Sequence, residues 1–289
     1  YWNMIDEFVC GKREWAVSGL VCVSQYLYDQ VSHRHPKFTK LKVIPSGVPL
    51  PVFIVEQRKE PIRMVYIGRL VQKQKRIFDL IEALASVLQR LPESSATLIG
   101  IATDPSLQHD IDQKIVHLGM SNRIHCTGPV SPEKLHRRLL PFNVLVLLSD
   151  FEGTPGAVMD GMSCGLVPVC LNIKGGVQDL VIHEETGLLV DNRKSSFVEA
   201  IFRLSEDLPL RQRLSKNART HIDKHFSLSI TADRWEQFFD DLLQDTSRKK
   251  AIDYPTRFNL PPVRQALGRE DTRQPAWPIL FITQLMSRV

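Results

Sequence analysis

Residues 144–171 read VLVLLSDFEGTPGAVMDGMSCGLVPVCL. The run VLVLLS (144–149) is apolar without alternating polar positions, and so is VPVCL (167–171). Strands of this kind are buried on both faces, which is the condition of a parallel sheet. Parallel neighbours need a crossover connection, and the small and apolar residues of 155–164 supply a helix for it. The stretch predicts a strand–helix–strand unit with a glycine-rich, acid-bearing loop after its first strand.

The same alternation extends in both directions. Upstream come a strand at IRMVYIG (62–68), a helix over 76–91 (Ile77, Leu80, Ile81, Leu84, Leu88), and a strand at ATLIG (96–100). A helix over 106–118, a strand at RIHCTG (123–128) and a helix over 132–139 complete that side. Downstream are a short strand TGLLV (186–190) and helices over 195–206, 209–225 and 228–244. The fold class is α/β, a Rossmann-like doubly wound parallel sheet. No internal repeat is present.

Outside this block the pattern changes. Residues 3–16 have helical spacing (Met4, Phe8, Trp15), GLVCVS (19–24) reads as a strand, Gln25 to His33 as a helix and KVIPSGV (42–48) as a strand. Proline and charge dominate from Pro49 to Pro61, a composition that suits a linker. After Asp245 the chain becomes rich in proline and basic residues and is expected to be extended on the surface or disordered. The resulting division is residues 1–50, a linker over 51–61, a domain over 62–227, a helix over 228–245 and a tail over 246–289.

With 43% hydrophobic and 24% charged residues in 289, the chain has the composition of a globular protein with a sizeable core. The five cysteines form no C-x-x-C pair, and sequences such as LVCVS and VPVCL place them in apolar runs, so buried thiols in a reducing compartment are expected. No stretch reaches the ~18 apolar residues of a membrane span, and no secretory signal opens the chain. A cytoplasmic protein is expected, with at most peripheral contact at the inner face of a membrane. The net charge of +5 is scattered along the sequence, and no nucleic-acid partner is expected. Because the sequence opens at Tyr1 in an already amphipathic segment, it is expected to begin inside a larger protein.

In open parallel sheets ligands bind beyond the carboxyl ends of the strands. After 62–68, Gly68 permits close backbone approach while Arg69 and Lys75 can converge on a dianion; the plainer alternative is a solvated basic loop. After 144–149 come Asp150 and Glu152, then Gly153 and Thr154-Pro155, read as a hydroxyl cap with proline at the first helical position. Such a helix start is an anion site. Glu152 can accept hydrogen bonds from sugar hydroxyls, and Asp160, a turn and a half into the helix, can accept those of a ribose. The alternative for both acids is helix capping or bridging to lysines. Gly175-Gly176 suits a second close approach or a plain tight turn, and Gly128-Pro129-Val130 offers a surface for a flat base.

The ordered set IGRL…K, EGTPGAVMDGMSCGLVPV, GG-x-x-D and E-x-T-G-L-L-V resembles the carboxy-terminal domain of retaining glycosyltransferases of family four, which have the GT-B fold. The resemblance covers roughly residues 15–245. It implies an E-x7-E pair in which Glu152, the catalytic residue, lies by the donor sugar hydroxyls and orients the sugar, and Asp160 holds the ribose in place of the usual glutamate. It further implies diphosphate contacts from Arg69 and Lys75 and a base held near Val130. Residues 1 to about 50 then look like the end of an otherwise absent acceptor-side domain. Helix 228–244, with Trp235, Phe238 and Phe239, would leave apolar surface partly uncovered and favour dimerisation or poor solubility.

The implied reaction moves a hexose or related sugar from a nucleotide diphosphate sugar to an unknown saccharide, lipid or protein acceptor, with retention. No Asp-x-Asp motif is present, so neither metal nor cofactor is expected. Two rivals stand beside this reading. One is a non-catalytic nucleotide-sugar-binding module, to which the shortened acid at Asp160 lends weight. The other is a nucleotide-sugar 2-epimerase on the same scaffold, against which the E-x7-E spacing and the EGTPG loop argue.

Overall fold

A computed structural model of the chain describes residues 17–36, 38 and 40–244. The helix expected over 3–16 and the tail over 246–289 lie outside the described residues, as does Cys10. Six strands form one sheet: β3 (Arg63–Ile67), β4 (Ser95–Ile99), β5 (Ile124–Cys126), β6 (Val144–Leu147), β7 (Val167–Leu171) and β8 (Leu188–Val190). Every pairing in it is parallel, and the spatial order is β5-β4-β3-β6-β7-β8.

That order has a functional consequence. From β3 the chain winds outward through β4 to β5, then returns to β6 beside β3 and winds the other way. The reversal falls between β3 and β6, paired through Met64↔Val144 and Val65↔Leu145. A crevice opens at such a switch point because neighbouring crossovers leave on opposite faces. The loops after β3 and β6 line it.

The crossovers explain the periodicities. In α3 (Ile77–Arg90) Ile77, Leu80, Ile81, Leu84, Val87 and Leu88 are buried, one stripe at three- and four-residue spacing. Burying each such side chain is worth about 1.5–3 kcal/mol. α3 packs with α4 (Pro105–His117) and α8 (Ser195–Glu206), while α6 (Gly156–Ser163) packs with α5 (Pro132–Leu139) and α9 (Leu208–Phe226). The helix expected over 76–91 is interrupted at its start. A single turn, α2 (Gln72–Lys75), ends at Arg76, which is left-handed at φ 52°, before α3 begins. A non-glycine residue held there costs roughly 1–2 kcal/mol, and ion pairs of Arg76 with Asp79 and Asp150 hold it.

A separate two-stranded parallel sheet joins β1 (Leu20–Cys22) to β2 (Leu41–Val43) across α1 (Gln25–Arg34). The strand expected over 42–48 stops short because Pro45 has no N–H for the ladder; beyond it only Val48 pairs, with Ser227. Residues 49–61 carry no helix or strand but are strapped down. Val55 N donates to Cys164 O at 2.7 Å, and Gln57 Nε2 donates to Asn143 O and Gly165 O at 3.2 and 3.1 Å. α7 (Val177–Leu180) is a short helix, and α10 (Leu228–Leu243) closes the described chain. On α10, Trp235, Phe239 and Leu243 are exposed, but Phe238 is buried, its ring against Gly19. The uncovered face expected for Trp235, Phe238 and Phe239 is therefore narrower. Among the described residues no helix is long and apolar enough to cross a membrane, and Cys126, Cys164 and Cys170 are free thiols.

Candidate functional site

At the switch point the two loops are laced together. Lys75 Nζ lies 2.5 Å from Glu152 Oε1, both side chains nearly buried at 13% and 7% exposure. Beside this pair, Gln74 Nε2 donates to Phe151 O at 3.0 Å and Asp150 N donates to Gln74 O at 2.9 Å. Asp150 also meets Arg76 at 3.8 Å and Arg193, whose Nε donates to Leu148 O at 2.8 Å. Residues 74–76 thus run alongside 150–152, with a cation and a carboxylate facing each other across the crevice.

Arg69 is exposed, and among the described residues its side chain makes only a long 3.4 Å contact from Nη2 to Gln74 Oε1. Its backbone is fixed from below: Tyr66, fully buried, donates its hydroxyl to Arg69 O at 2.8 Å. Burial pushes the Tyr66 phenol well above its ordinary value, with the Glu152 charge adding to the effect, so it remains a donor. Tyr66→Phe leaves the Arg69 carbonyl without this partner and is expected to cost about 1 kcal/mol, read in thermal melts, with a larger proportional loss of any anion binding that depends on Arg69. Gly68 and Gly100 touch behind the loop: a side chain at Gly100 would sit 1.8 Å from Gly68 O.

Asp160 projects from α6. His136 Nε2, on α5, donates to its Oδ1 at 3.3 Å. Burial pushes the Asp160 carboxyl above the ordinary carboxylate range, and the hydrogen bond and charge of His136 oppose that shift. Val130 is partly buried against the core in the loop after β5, where Gly128 O accepts from Gly100 N at 3.1 Å.

The expectation for Thr154 is overturned. Pro155 has an extended backbone, α6 starts at Gly156, and no side chain caps it. The Thr154 hydroxyl instead donates to Val23 O in the loop before α1. Ser24, Gln25 and α7 continue this seam: Gln25 N donates to Asp179 Oδ2 at 2.9 Å. Gly153 and Gly176 meet backbone to backbone, Gly176 N donating to Gly153 O at 2.6 Å. The close approach foreseen for Gly175-Gly176 is thus made to the acid-bearing loop. The structure brings Arg69, Lys75, Glu152 and Gly153 around one crevice. Gln74, Tyr66 and His136 were missed by sequence reasoning, since nothing in their local pattern marks them; only the order of the strands makes them neighbours.

Residues 52–221 match the family of glycosyl transferases group 1 over more than half of the chain. The chain belongs to this family. Among the relatives of this group 1 chain, YtcC of Bacillus subtilis (strain 168), itself assigned rather than demonstrated as a glycosyltransferase, is 26% identical over 280 residues, covering 89% of this chain and 68% of YtcC. An Escherichia coli UDP-Gal:alpha-D-GlcNAc-diphosphoundecaprenol alpha-1,3-galactosyltransferase is 26% identical over 239 residues, 77% of this chain and 58% of that enzyme. The S. aureus TarM structure, solved with UDP, superposes with a TM-score of 0.69 at 19% identity, over 78% of this chain and 44% of TarM. Neighbours of this kind fix the fold as the Rossmann-like α/β fold of GT-B glycosyltransferases. The group 1 chain spans roughly half to two thirds of the length of these relatives.

Proposed function

We propose that this chain is the donor-binding part of a retaining glycosyltransferase of family four, which moves a hexose or related sugar from a nucleotide diphosphate sugar to a saccharide-bearing acceptor. The observation that carries the reading is the Lys75–Glu152 pair at the switch point, with Arg69 beside it and Asp160 on the helix that follows. TarM's structure contains UDP and the E. coli relative is named for UDP-Gal, which supports a nucleoside diphosphate as the ligand.

In this reading an arriving diphosphate takes Lys75 as its counter-ion, together with Arg69 and the amide end of α6. Glu152, released from Lys75, turns its oxygens to the hydroxyls of the transferred sugar and orients it. The leaving diphosphate gains negative charge as the glycosidic bond breaks, and two fixed cations in a partly closed crevice stabilise that charge best in the transition state. Departure and attack occur on one face, with a phosphate oxygen taking the acceptor's proton. The cations fill the role of a metal, so the proposed transfer is metal-independent. Asp160 binds the ribose and the loop at Val130 the base.

Titration of the 289-residue chain with UDP, GDP, ADP and their glucose and mannose conjugates tests this. Saturable binding is expected for one base. Arg69→Ala, at an exposed residue, should leave the melting temperature within about 1 °C while weakening that nucleotide roughly tenfold, the worth of a charge-assisted hydrogen bond. Failure of every nucleotide to bind would sink the donor reading. Binding without transfer to any saccharide, in the longest form of the protein, would reduce it to a nucleotide-sugar-binding module.

A further inference from the structure

Asp160 is held in an unusual way. It sits on α6, side chain 25% exposed, and no lysine or arginine meets it among the described residues; its partner is the imidazole of His136, itself 14% exposed. α5 is anchored independently of this contact. Leu139 is fully buried, and the Cys164 thiol approaches His136 O at 4.0 Å. These contacts hold the backbone from which the imidazole projects, and the ring presents Nε2 to one carboxylate oxygen while the other, Oδ2, accepts no hydrogen bond among the described residues. An aspartate has few torsions, but its terminal one is broad, so a single donor on Oδ1 sets the plane in which Oδ2 points.

We propose that His136 is a positioning residue for donor recognition: by holding Asp160 Oδ1 it aims Oδ2 at a ribose hydroxyl of the nucleotide, making the chain a reader of ribose over deoxyribose. The inference rests on the donor reading above. A carboxylate bound to a hydroxyl is a charge-assisted hydrogen bond, among the stronger kinds. Its directional part depends on the oxygen being in place before the ligand arrives. An imidazole suits this task because it presents one ring nitrogen to one carboxylate oxygen and leaves the other for the ligand, whereas the fork of an arginine would compete for both oxygens.

The test compares the best-binding nucleoside diphosphate with its 2′-deoxy and 3′-deoxy forms, by calorimetric titration of the 289-residue chain and of His136→Leu and His136→Gln. Wild type should prefer the ribonucleotide roughly tenfold or more over at least one deoxy form. His136→Leu, which fills the space without donating, should weaken the ribonucleotide by about that factor and leave the deoxy form unchanged, so that the preference falls towards one. His136→Gln, whose amide still donates, should restore it to within about threefold. A preference retained by His136→Leu overturns the inference while the donor reading stands; a preference absent from wild type overturns the inference and the ribose role of Asp160, while nucleotide binding itself stands. No nucleotide binding in wild type overturns both. Should His136→Leu fail to fold, imidazole NMR of wild type decides: the His136 resonance should shift with the ribonucleotide and not with the insensitive deoxy form, and equal shifts would overturn the proposal.

Discussion

Lys75→Met is expected to lower the melting temperature by about 6–12 °C, because it strands the Glu152 carboxylate in a site where its side chain is only 7% exposed. Removing one partner of a buried pair costs roughly 3 kcal/mol or more, and in a domain of this size each kcal/mol moves the midpoint about 2–4 °C. Most of that cost is the unpaired charge and not the lost attraction. Lys75→Met combined with Glu152→Gln should therefore recover most of the stability that either single change loses. Differential scanning calorimetry of the four proteins closes the cycle. A single Lys75→Met variant melting within 2 °C of wild type would show that water reaches the pair freely and that the crevice is not a site in which fixed charge is stabilised. A second readout connects this to binding. A ligand at 100 times its Kd stabilises by about 2.7 kcal/mol, and the increment from a nucleoside diphosphate should shrink in Lys75→Met and in the double variant.

The position of the candidate residues was legible in sequence because the fold puts them at strand ends, and strand ends are local. VLVLLS, EGTPG and IRMVYIG fix where β6, the acid loop and β3 stop, so Glu152, Lys75 and Arg69 could be named without coordinates. The direct contact between Lys75 and Glu152 could not, for they are separated by 77 residues and meet only because β3 and β6 are neighbours. His136 was hidden for the same reason: a histidine on a basic, exposed helix carries no mark of the aspartate it holds. Thr154 failed differently. Its position before Pro155 fits a cap, but the extended Pro155 backbone delays the helix by one residue and a carbonyl from the amino-terminal segment, Val23 O, captures the hydroxyl. Local capping preference is worth only about 1 kcal/mol, and one tertiary hydrogen bond is enough to redirect it. Phe238 was read as part of an uncovered face because the resemblance assigns that helix's packing surface to a domain largely absent from the sequence, but Gly19 of the amino-terminal segment lies against its ring.

Gly176→Ala is expected to be strongly disruptive although it removes no functional group. A methyl group there would lie 2.1 Å from Gly153 O and 2.9 Å from Thr154 Cα, where the nearest atoms are backbone and cannot swing aside. The hydrogen bond from Gly176 N to Gly153 O, 2.6 Å long, must break as the loops part. Overpacking typically costs about 1–3 kcal/mol and the lost bond about 1 more, so a fall of roughly 4–16 °C in melting temperature follows. Displacement matters more for function than for stability. Gly153 follows Glu152 directly, and the same loop runs through Thr154 to the start of α6, so pushing Gly153 outward moves Glu152 and the amide end of the helix together. Nucleotide binding should fall by more than the destabilisation alone requires, measured well below the variant's melting point where the folded fraction is complete. Retained binding at full affinity would mean that the donor does not touch this loop. The Glu152–Gly153 turn would then be a structural seam between β6 and β7, and the anion site would have to be built from the Arg69–Lys75 side of the crevice alone.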